Sequence, residues 1–230
     1  MPVLELMTSS GLGSLLGMRH ALEPDHLAAV STLVSGERSG YKAAFLGACW
    51  GLGHTLALVI VGAVAVMLRA ELPVRVSNFF EFGVAIMLVG LGVRAIYLAA
   101  RQGPDGPTRA HHHGRTVHVH SGATGHIHIG AWTLARRPLL VGAVHGLAGS
   151  GALTALVLTT LPTTAARLTY MSLFGLGSTL GMAALSGLLG WPLARMGNHH
   201  AVARGVSLAV GLLSTVLGVY YGFTSPLLSN

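Results

Sequence analysis

The sequence predicts an all-α membrane protein of six transmembrane helices, built as two inverted three-helix repeats with a long His-rich loop between the halves. Of its 230 residues, 52% are hydrophobic and 9% are charged, whereas soluble domains carry roughly 25% charged residues. Apolar segments of about twenty residues, the length that crosses a hydrocarbon core, recur along the chain. The predicted spans are Leu6–Val34, Ala43–Leu68, Phe79–Ala100, Pro138–Leu161, Leu168–Trp191 and Ala201–Phe223.

The first predicted span contains two imidazoles and two carboxylates close together in an apolar run. Titratable side chains at membrane depth are costly unless they are paired, hydrated or bound to an ion, so they indicate a functional site. On an unbroken helix, His20, Glu23 and His26 would share an arc of about 120°, while Asp25 would point elsewhere. Pro24 lacks an amide hydrogen and clashes with the carbonyl four residues back, which predicts a kink or unwound turn that brings Asp25 toward the histidines. Imidazole and carboxylate together are typical ligands of divalent transition metals.

The second predicted span contributes His54, which lies in the segment Gly51-Leu-Gly-His-Thr55. The flanking glycines allow a neighbouring helix to come close, so we expect His54 to reach the first-span cluster as a ligand or as a residue that holds one. The alternative is a hydrogen-bonded packing histidine. Glu81, at the start of the third span, is expected to be a solvated flank. Arg19 either pairs with a carboxylate of the first span or extends to the membrane interface.

The two halves of the chain resemble each other in two segments. Leu16–Leu22 aligns with Val141–Leu147 at an offset of 125, and Trp50–Leu56 aligns with Phe174–Leu180 at nearly the same offset. Three spans in each half mean that the second copy crosses the membrane in the opposite sense, which is typical of secondary transporters. His145 then occupies the histidine position of the first segment and is a candidate ligand, although no carboxylate follows it.

The repeat predicts three regions, namely a first three-helix repeat over 1–100, a disordered cytoplasmic loop over 101–137 and a second three-helix repeat over 138–230. The loop combines proline and glycine with seven histidines, and His-rich tracts bind metals loosely. The alternative for the loop is an inert polar linker. Hydroxyl groups near the predicted site are weaker candidates, because a helix hydroxyl usually bonds backbone. They are Thr55, Ser150, Thr154 and Ser178, and the loop histidines are His111, His112, His113, His118, His120, His126 and His128.

The net charge of +7 comes from basic residues in the connections between spans, so it predicts membrane orientation and not nucleic-acid binding. One side carries Arg38, Lys42, Arg94, Arg101, Arg109, Arg115, Arg136, Arg137, Arg195 and Arg204, and the other carries Arg69, Arg75 and Arg167. For a multi-pass protein, expected in the cell (inner) membrane, the positive-inside rule then predicts that the 101–137 loop is cytoplasmic. Both termini are expected outside the cytoplasm.

The pattern His20-x4-Asp25-His26, followed one span later by Gly53-His54-Thr55, resembles the signature of the nickel/cobalt transporter family. The resemblance implies permeation of divalent nickel or cobalt. The short, six-span members are associated with nickel supply to urease, which makes nickel-enzyme maturation proteins candidate partners. The chain departs from the family pattern in having Glu23-Pro24 where Asp-Ala is usual, six spans where eight are usual, and no acidic motif in the second half.

The leading hypothesis is uptake of Ni²⁺ or Co²⁺ by a secondary transporter in the lipid bilayer, with the ion as substrate, no cofactor and no enzymatic activity. His20, Asp25 and His26 would hold the ion, with His54, His145 and Glu23 contributing. An exporter is the first alternative, since direction is not readable from the residues. An intramembrane zinc hydrolase is the second, because three histidines and an aspartate could hold Zn²⁺ with a bound water. A membrane-bound metal sensor or assembly factor is the third.

Overall fold

The computed structural model describes residues 2–35, 37, 39–69, 73–101, 109–113, 116–120, 126–129, 132–195 and 200–227. Within these ranges the chain forms seven α-helices and four short strands. The helices are α1 (Pro2–His20), α2 (Pro24–Val34), α3 (Gly40–Leu68), α4 (Val74–Arg101), α5 (Arg136–Thr160), α6 (Thr164–Arg195) and α7 (His200–Thr224).

Four of the described helices are long and apolar enough to cross a bilayer. They are α3, α4, the Thr164–Pro192 part of α6 and the Ala201–Thr224 part of α7. These four correspond to the second, third, fifth and sixth predicted spans, and α5 lies where the fourth was predicted. The prediction of a helical membrane protein is therefore confirmed.

The first predicted span is not one helix, because a turn at 21–23 separates α1 from α2. The amide nitrogens of Leu22 and Glu23 donate to the carbonyls of Arg19 and His20, at 2.9 and 3.0 Å, and close the turn. Glu23 is extended, with φ −63° and ψ 147°, and Pro24 is the first residue of α2. Proline is well tolerated there, since its missing amide hydrogen has no partner to lose. The predicted interruption at Pro24 is therefore confirmed: the span Leu6–Val34 consists of two helices joined by a turn.

The long helices pack closely through glycines. The main contacts join α3 to α5 and α6, α4 to α7, and α1 to α6, while the short α2 contacts α3, α4, α6 and α7. At Gly17 a Cβ atom would overlap the carbonyl of Phe174, and at Gly53 it would overlap the carbonyl of Leu139. Only glycine allows this approach, as expected for small residues at membrane helix contacts. The resulting bundle holds α2 among the long helices.

The described residues within 101–137 form two short antiparallel hairpins, where composition predicted a loop without regular structure. Strand β1 (Arg109–His113) pairs with β2 (Thr116–His120), and β3 (His126–Ile129) pairs with β4 (Trp132–Ala135). In the first hairpin the Cα atom of His111 lies opposite that of His118. Histidine alternates with valine in β2 and with isoleucine in β3, and β-branched residues at a period of two favour strands.

Candidate metal site

The break between α1 and α2 positions the candidate site. His20 is the last residue of α1, Glu23 lies in the turn, and Asp25 and His26 follow Pro24 in the first turn of α2. His54 and His145 approach from the middle of α3 and α5, which pack against each other. The structure therefore brings together all six residues that the sequence singled out, which are His20, Glu23, Asp25, His26, His54 and His145.

His26 lies at the centre of a cluster of four imidazole rings, its own included. Its ring centroid is 4.3 Å from that of His20, 5.3 Å from that of His54 and 4.2 Å from that of His145. His26, His54 and His145 are at most 2% exposed, and the side chain of His20 is 15% exposed. Such packing of imidazoles requires either hydrogen-bond partners or a shared cation, because buried polar groups without partners are costly.

Two carboxylates hold three of the rings. Nδ1 of His26 and Nε2 of His145 donate to Oδ1 and Oδ2 of Asp25, at 2.9 and 2.8 Å, and the His26 amide also donates to Oδ1 at 2.9 Å. Nδ1 of His20 lies 2.9 Å from Oε1 of Glu23. A carboxylate on one ring nitrogen fixes the tautomer and leaves the other nitrogen free to bind a metal.

The remaining ring nitrogens are buried and have no hydrogen-bond partner among the described residues. They are Nε2 of His20, Nε2 of His26, both nitrogens of His54, and Nδ1 of His145. Most buried polar side-chain atoms in folded proteins have a partner, so these nitrogens indicate a site for a ligand. One of the two His54 nitrogens carries a hydrogen when the ring is neutral, so the cluster offers up to four lone pairs to a metal ion.

Two groups of three residues have the spacing for a metal ion. Ligand atoms of His20, His26 and His54 lie within 4.8 Å of one another, and so do those of Asp25, His26 and His145. Imidazole suits zinc, copper, iron and nickel, and carboxylate suits harder cations. The donor set therefore fits a divalent transition metal.

A cavity of about 920 Å³ leads to these residues. It reaches His20, Asp25, His26 and His145, whereas His54 lies behind its wall. Its other walls come from α1 and from α4 to α7. The lining includes Arg19, Glu23, Glu81, Gly149, Phe174 and Tyr221. The cavity gives an ion a route to the buried cluster.

A family model described as "High-affinity nickel-transport protein", NicO, matches residues 6–220. The chain belongs to the NicO family. It is 32% identical to the urease accessory protein UreH of Bacillus sp. (strain TB-90) over 221 residues, which cover 96% of this chain and 93% of that protein. The predicted resemblance of the chain to the nickel/cobalt transporter family is thereby confirmed.

Two plant proteins are more distant relatives of this NicO member. The chloroplast proteins FOR GROWTH AND FERTILITY 2 and 1 of Arabidopsis thaliana are 25% and 28% identical over 81% and 80% of this chain. The chain spans about half the length of each, 48% and 50%. No solved structure matches the chain significantly.

Some residues of the NicO cavity were not anticipated. Glu81, expected as a solvated flank, is exposed and lines the cavity that leads to the histidines. The centroid of the Phe174 ring, which lines the cavity, lies 5.2 Å from that of His20, and the centroid of the Trp50 ring, which is not in the lining, lies 5.5 Å from that of His26. Arg19 also lines the cavity, and within the described part of the chain it has no carboxylate at ion-pair distance. The sequence offered one signal for these residues, which is the carboxylate of Glu81 near the start of an apolar span. That signal could have indicated a cavity residue.

The weaker hydroxyl candidates serve helix packing in the NicO fold. Oγ1 of Thr55 donates to the carbonyl of Gly175 at 2.7 Å, and Oγ of Ser178 donates to the carbonyl of Gly17 at 3.2 Å. Both hydroxyls therefore bond the backbone of a neighbouring helix, away from the ring nitrogens of the cluster. The side chains of Ser150 and Thr154 lie outside the described residues.

Proposed function

We propose that this NicO protein takes up Ni²⁺ or Co²⁺ as a secondary transporter, with the ion held at the helix break by His20, Asp25, His26, His54 and His145 and with Glu23 supporting His20. Transmembrane transport of nickel or cobalt is the activity that family membership gives to the chain. The observation that carries the site assignment is the group of buried ring nitrogens without partners at the end of a cavity.

The chemistry of the site supports a transported cation. Imidazole binds a metal only when neutral, so protons compete with the cation for the same nitrogens. A proton gradient could therefore drive release without a separate relay. The chain contains no Gly-x4-Gly-Lys-Ser/Thr loop, so ATP would have to act through another subunit.

Reciprocal helix contacts support the inverted three-helix repeats. If the two halves are equivalent, a glycine in one half and its counterpart in the other should meet equivalent carbonyls. Three such exchanges occur at offsets of 124 to 126 residues. In the first exchange Gly17 meets Phe174 and Gly142 meets Trp50. In the second Gly53 meets Leu139 and Gly177 meets Ser14. In the third Gly92 meets Gly211 and Gly218 meets Ala85.

A contact between Thr55 and Thr179 supports the same proposal. Their Oγ1 atoms lie 2.8 Å apart, and the two residues are counterparts at an offset of 124. A residue touches its own counterpart only near a two-fold axis. A six-span bundle with such an axis in the membrane plane could expose a central site to each side in turn.

Uptake, and not export, is the direction we propose. The relative from Bacillus is named a urease accessory protein, and a nickel enzyme that is assembled inside the cell needs imported metal. Cytoplasmic nickel-enzyme maturation proteins are then the partners that would receive the ion. The asymmetry of basic residues described above supports a cytoplasmic position for 101–137 and extracytoplasmic termini.

Radioactive Ni²⁺ flux into proteoliposomes tests the function. We expect saturable uptake that unlabelled Co²⁺ inhibits and that a pH difference across the membrane changes. Inserting the protein in one orientation, checked by protease access to 101–137, separates uptake from export. Absence of saturable flux would contradict transport and favour the zinc hydrolase or the sensor.

The His-rich segment is expected to raise efficiency without forming the pathway. Deleting residues 108–130 should lower the rate at low Ni²⁺ concentration but leave saturable flux, because the cavity and the buried cluster belong to the helices. Concentration-dependent uptake measures both quantities. A full-length variant with the seven loop histidines changed to glutamine is the matched control, and complete loss of its flux would contradict this prediction.

A further inference from the structure

The buried cluster offers two sets of ligand atoms that share one ring. We propose that they are two successive stations for the transported cation: an outer station of Asp25, His26 and His145, and an inner station of His20, His26 and His54. His26 would pass the cation from one to the other. This inference depends on the proposed transport function and specifies the path within its site.

The cavity gives the order of the stations. All three residues of the outer station line it, and so do His20 and His26 of the inner station, whereas His54 is 0% exposed and is not among the lining residues. A cation that arrives through the cavity therefore finds every ligand of the outer station in the cavity wall, while the inner station is complete only with His54. Reaching His54 requires a further step into the contact between α3 and α5.

The two nitrogens of His26 allow that step. Nδ1 lies against Asp25 at 2.9 Å, on the side of the outer station, while Nε2 is buried and no described residue bonds it. Because the two nitrogens are on different edges of the ring, one imidazole can contribute to both stations in turn.

Asp25 changes its role between the stations. At the outer station its carboxylate would bind the cation, and the two imidazole hydrogens that it now accepts would move to the opposite ring nitrogens, Nε2 of His26 and Nδ1 of His145. At the inner station Asp25 again accepts from Nδ1 of His26 and Glu23 accepts from Nδ1 of His20, as in this structure. Both carboxylates then orient imidazoles toward the metal, an arrangement common in metal sites.

The stations differ in chemistry, which implies selection of the cation. The outer station contains a carboxylate, a ligand that magnesium and calcium also accept, whereas the inner one consists of imidazoles, which suit nickel and related transition metals. Mg²⁺ could therefore enter the first but would not be held in the second. The transported class is a divalent transition metal that exchanges oxygen for nitrogen ligands.

Gly149 keeps space open beside the inner station. A Cβ atom there would lie 3.8 Å from Nε2 of His20 and 3.9 Å from Cε1 of His54. These are ordinary van der Waals distances, so alanine fits the fold. A methyl group would, however, occupy the space that a cation between the two rings needs.

The test uses the full-length protein in which the seven loop histidines, His199 and His200 are changed to glutamine, so that only the four histidines of the buried cluster remain to bind Ni²⁺. His145→Ala removes an outer ligand, and His54→Ala removes an inner one. Gly149→Ala narrows the inner station without removing a ligand, which keeps the test informative if His54→Ala does not fold. Ser178→Ala is the matched control, because Ser178 is the repeat counterpart of His54 and bonds only backbone. Ni²⁺ affinity, X-ray absorption of bound Ni²⁺ and liposome flux are measured on each.

We expect His145→Ala to bind Ni²⁺ through imidazoles alone, and His54→Ala and Gly149→Ala to bind it with a carboxylate oxygen. Each should lose more than about tenfold in flux, and Ser178→Ala should match the parent. Identical absorption spectra for His145→Ala and His54→Ala, or loss of binding in both, would overturn the proposal in favour of a single site. Flux at the parent level in any of the three variants would also overturn it. Absence of flux in the unsubstituted protein would contradict the proposed function instead, while the spectra would still decide between one station and two.

Discussion

Replacing His26 by alanine is expected to reduce Ni²⁺ flux by at least about 100-fold, the largest effect of any single substitution at the site. His26 is the one residue common to both groups of three ligands, so no complete set remains without it. Its removal also releases Asp25 from one of its two imidazole partners. Initial rates of Ni²⁺ uptake into proteoliposomes measure the loss.

The control for this variant separates lost chemistry from lost structure. His118→Ala also removes one imidazole, but from strand β2, outside the helices that form the cavity. We expect His118→Ala to keep most of the flux, and both variants to insert and to elute as the parent does in detergent. Parent-like uptake by the His26 variant would refute the assignment of the site.

Replacing Gly92 by alanine is expected to destabilise the bundle strongly. A Cβ atom at this buried position would lie 2.5 Å from the carbonyl oxygen of Gly211 and 2.7 Å from the amide nitrogen of Thr215, so α4 and α7 would have to separate. Overpacking typically costs about 1–3 kcal/mol. For a chain of this length that lowers the melting temperature by several degrees, at about 2–4 °C per kcal/mol. Thermal unfolding in detergent measures the shift.

Gly90 provides the matched control on the same helix, two residues away. A Cβ atom there meets nothing within 4 Å, and alanine favours helix over glycine by up to about 1 kcal/mol. Gly90→Ala should therefore leave the melting temperature unchanged or raise it. Equal destabilisation by the two substitutions would show that the contact with α7 does not determine the result, since helix propensity favours alanine at both positions.

The local features of the site could be read from the sequence because each has a local physical cause. Pro24 cannot continue the helix through His20, so the break and the turn of Asp25 toward the histidines follow from one residue. The internal repeat predicted His145 as the counterpart of His20, and the glycines beside His54 predicted a close helix contact. These inferences use only neighbouring residues or a fixed offset.

Features that depend on distant helices could not be read in the same way. Glu81 and Tyr221 line one cavity because α4 packs against α7, and no short-range pattern links positions so far apart. The pairing of Asp25 with two particular ring nitrogens also depends on rotamers that only the assembled bundle fixes. The hairpins within 101–137 were missed because proline, glycine and histidine content outweighed the alternation inside each short strand.

The packing of the bundle has a consequence for how the protein is made. The strongest helix contacts join α1 to α6, α3 to α5 and α6, and α4 to α7, so the partners of the first half lie in the second. A ribosome that has translated only the first half has delivered helices to the bilayer whose glycine surfaces still face lipid or insertion machinery. The first half therefore cannot reach its final packing until the second half has also been synthesised.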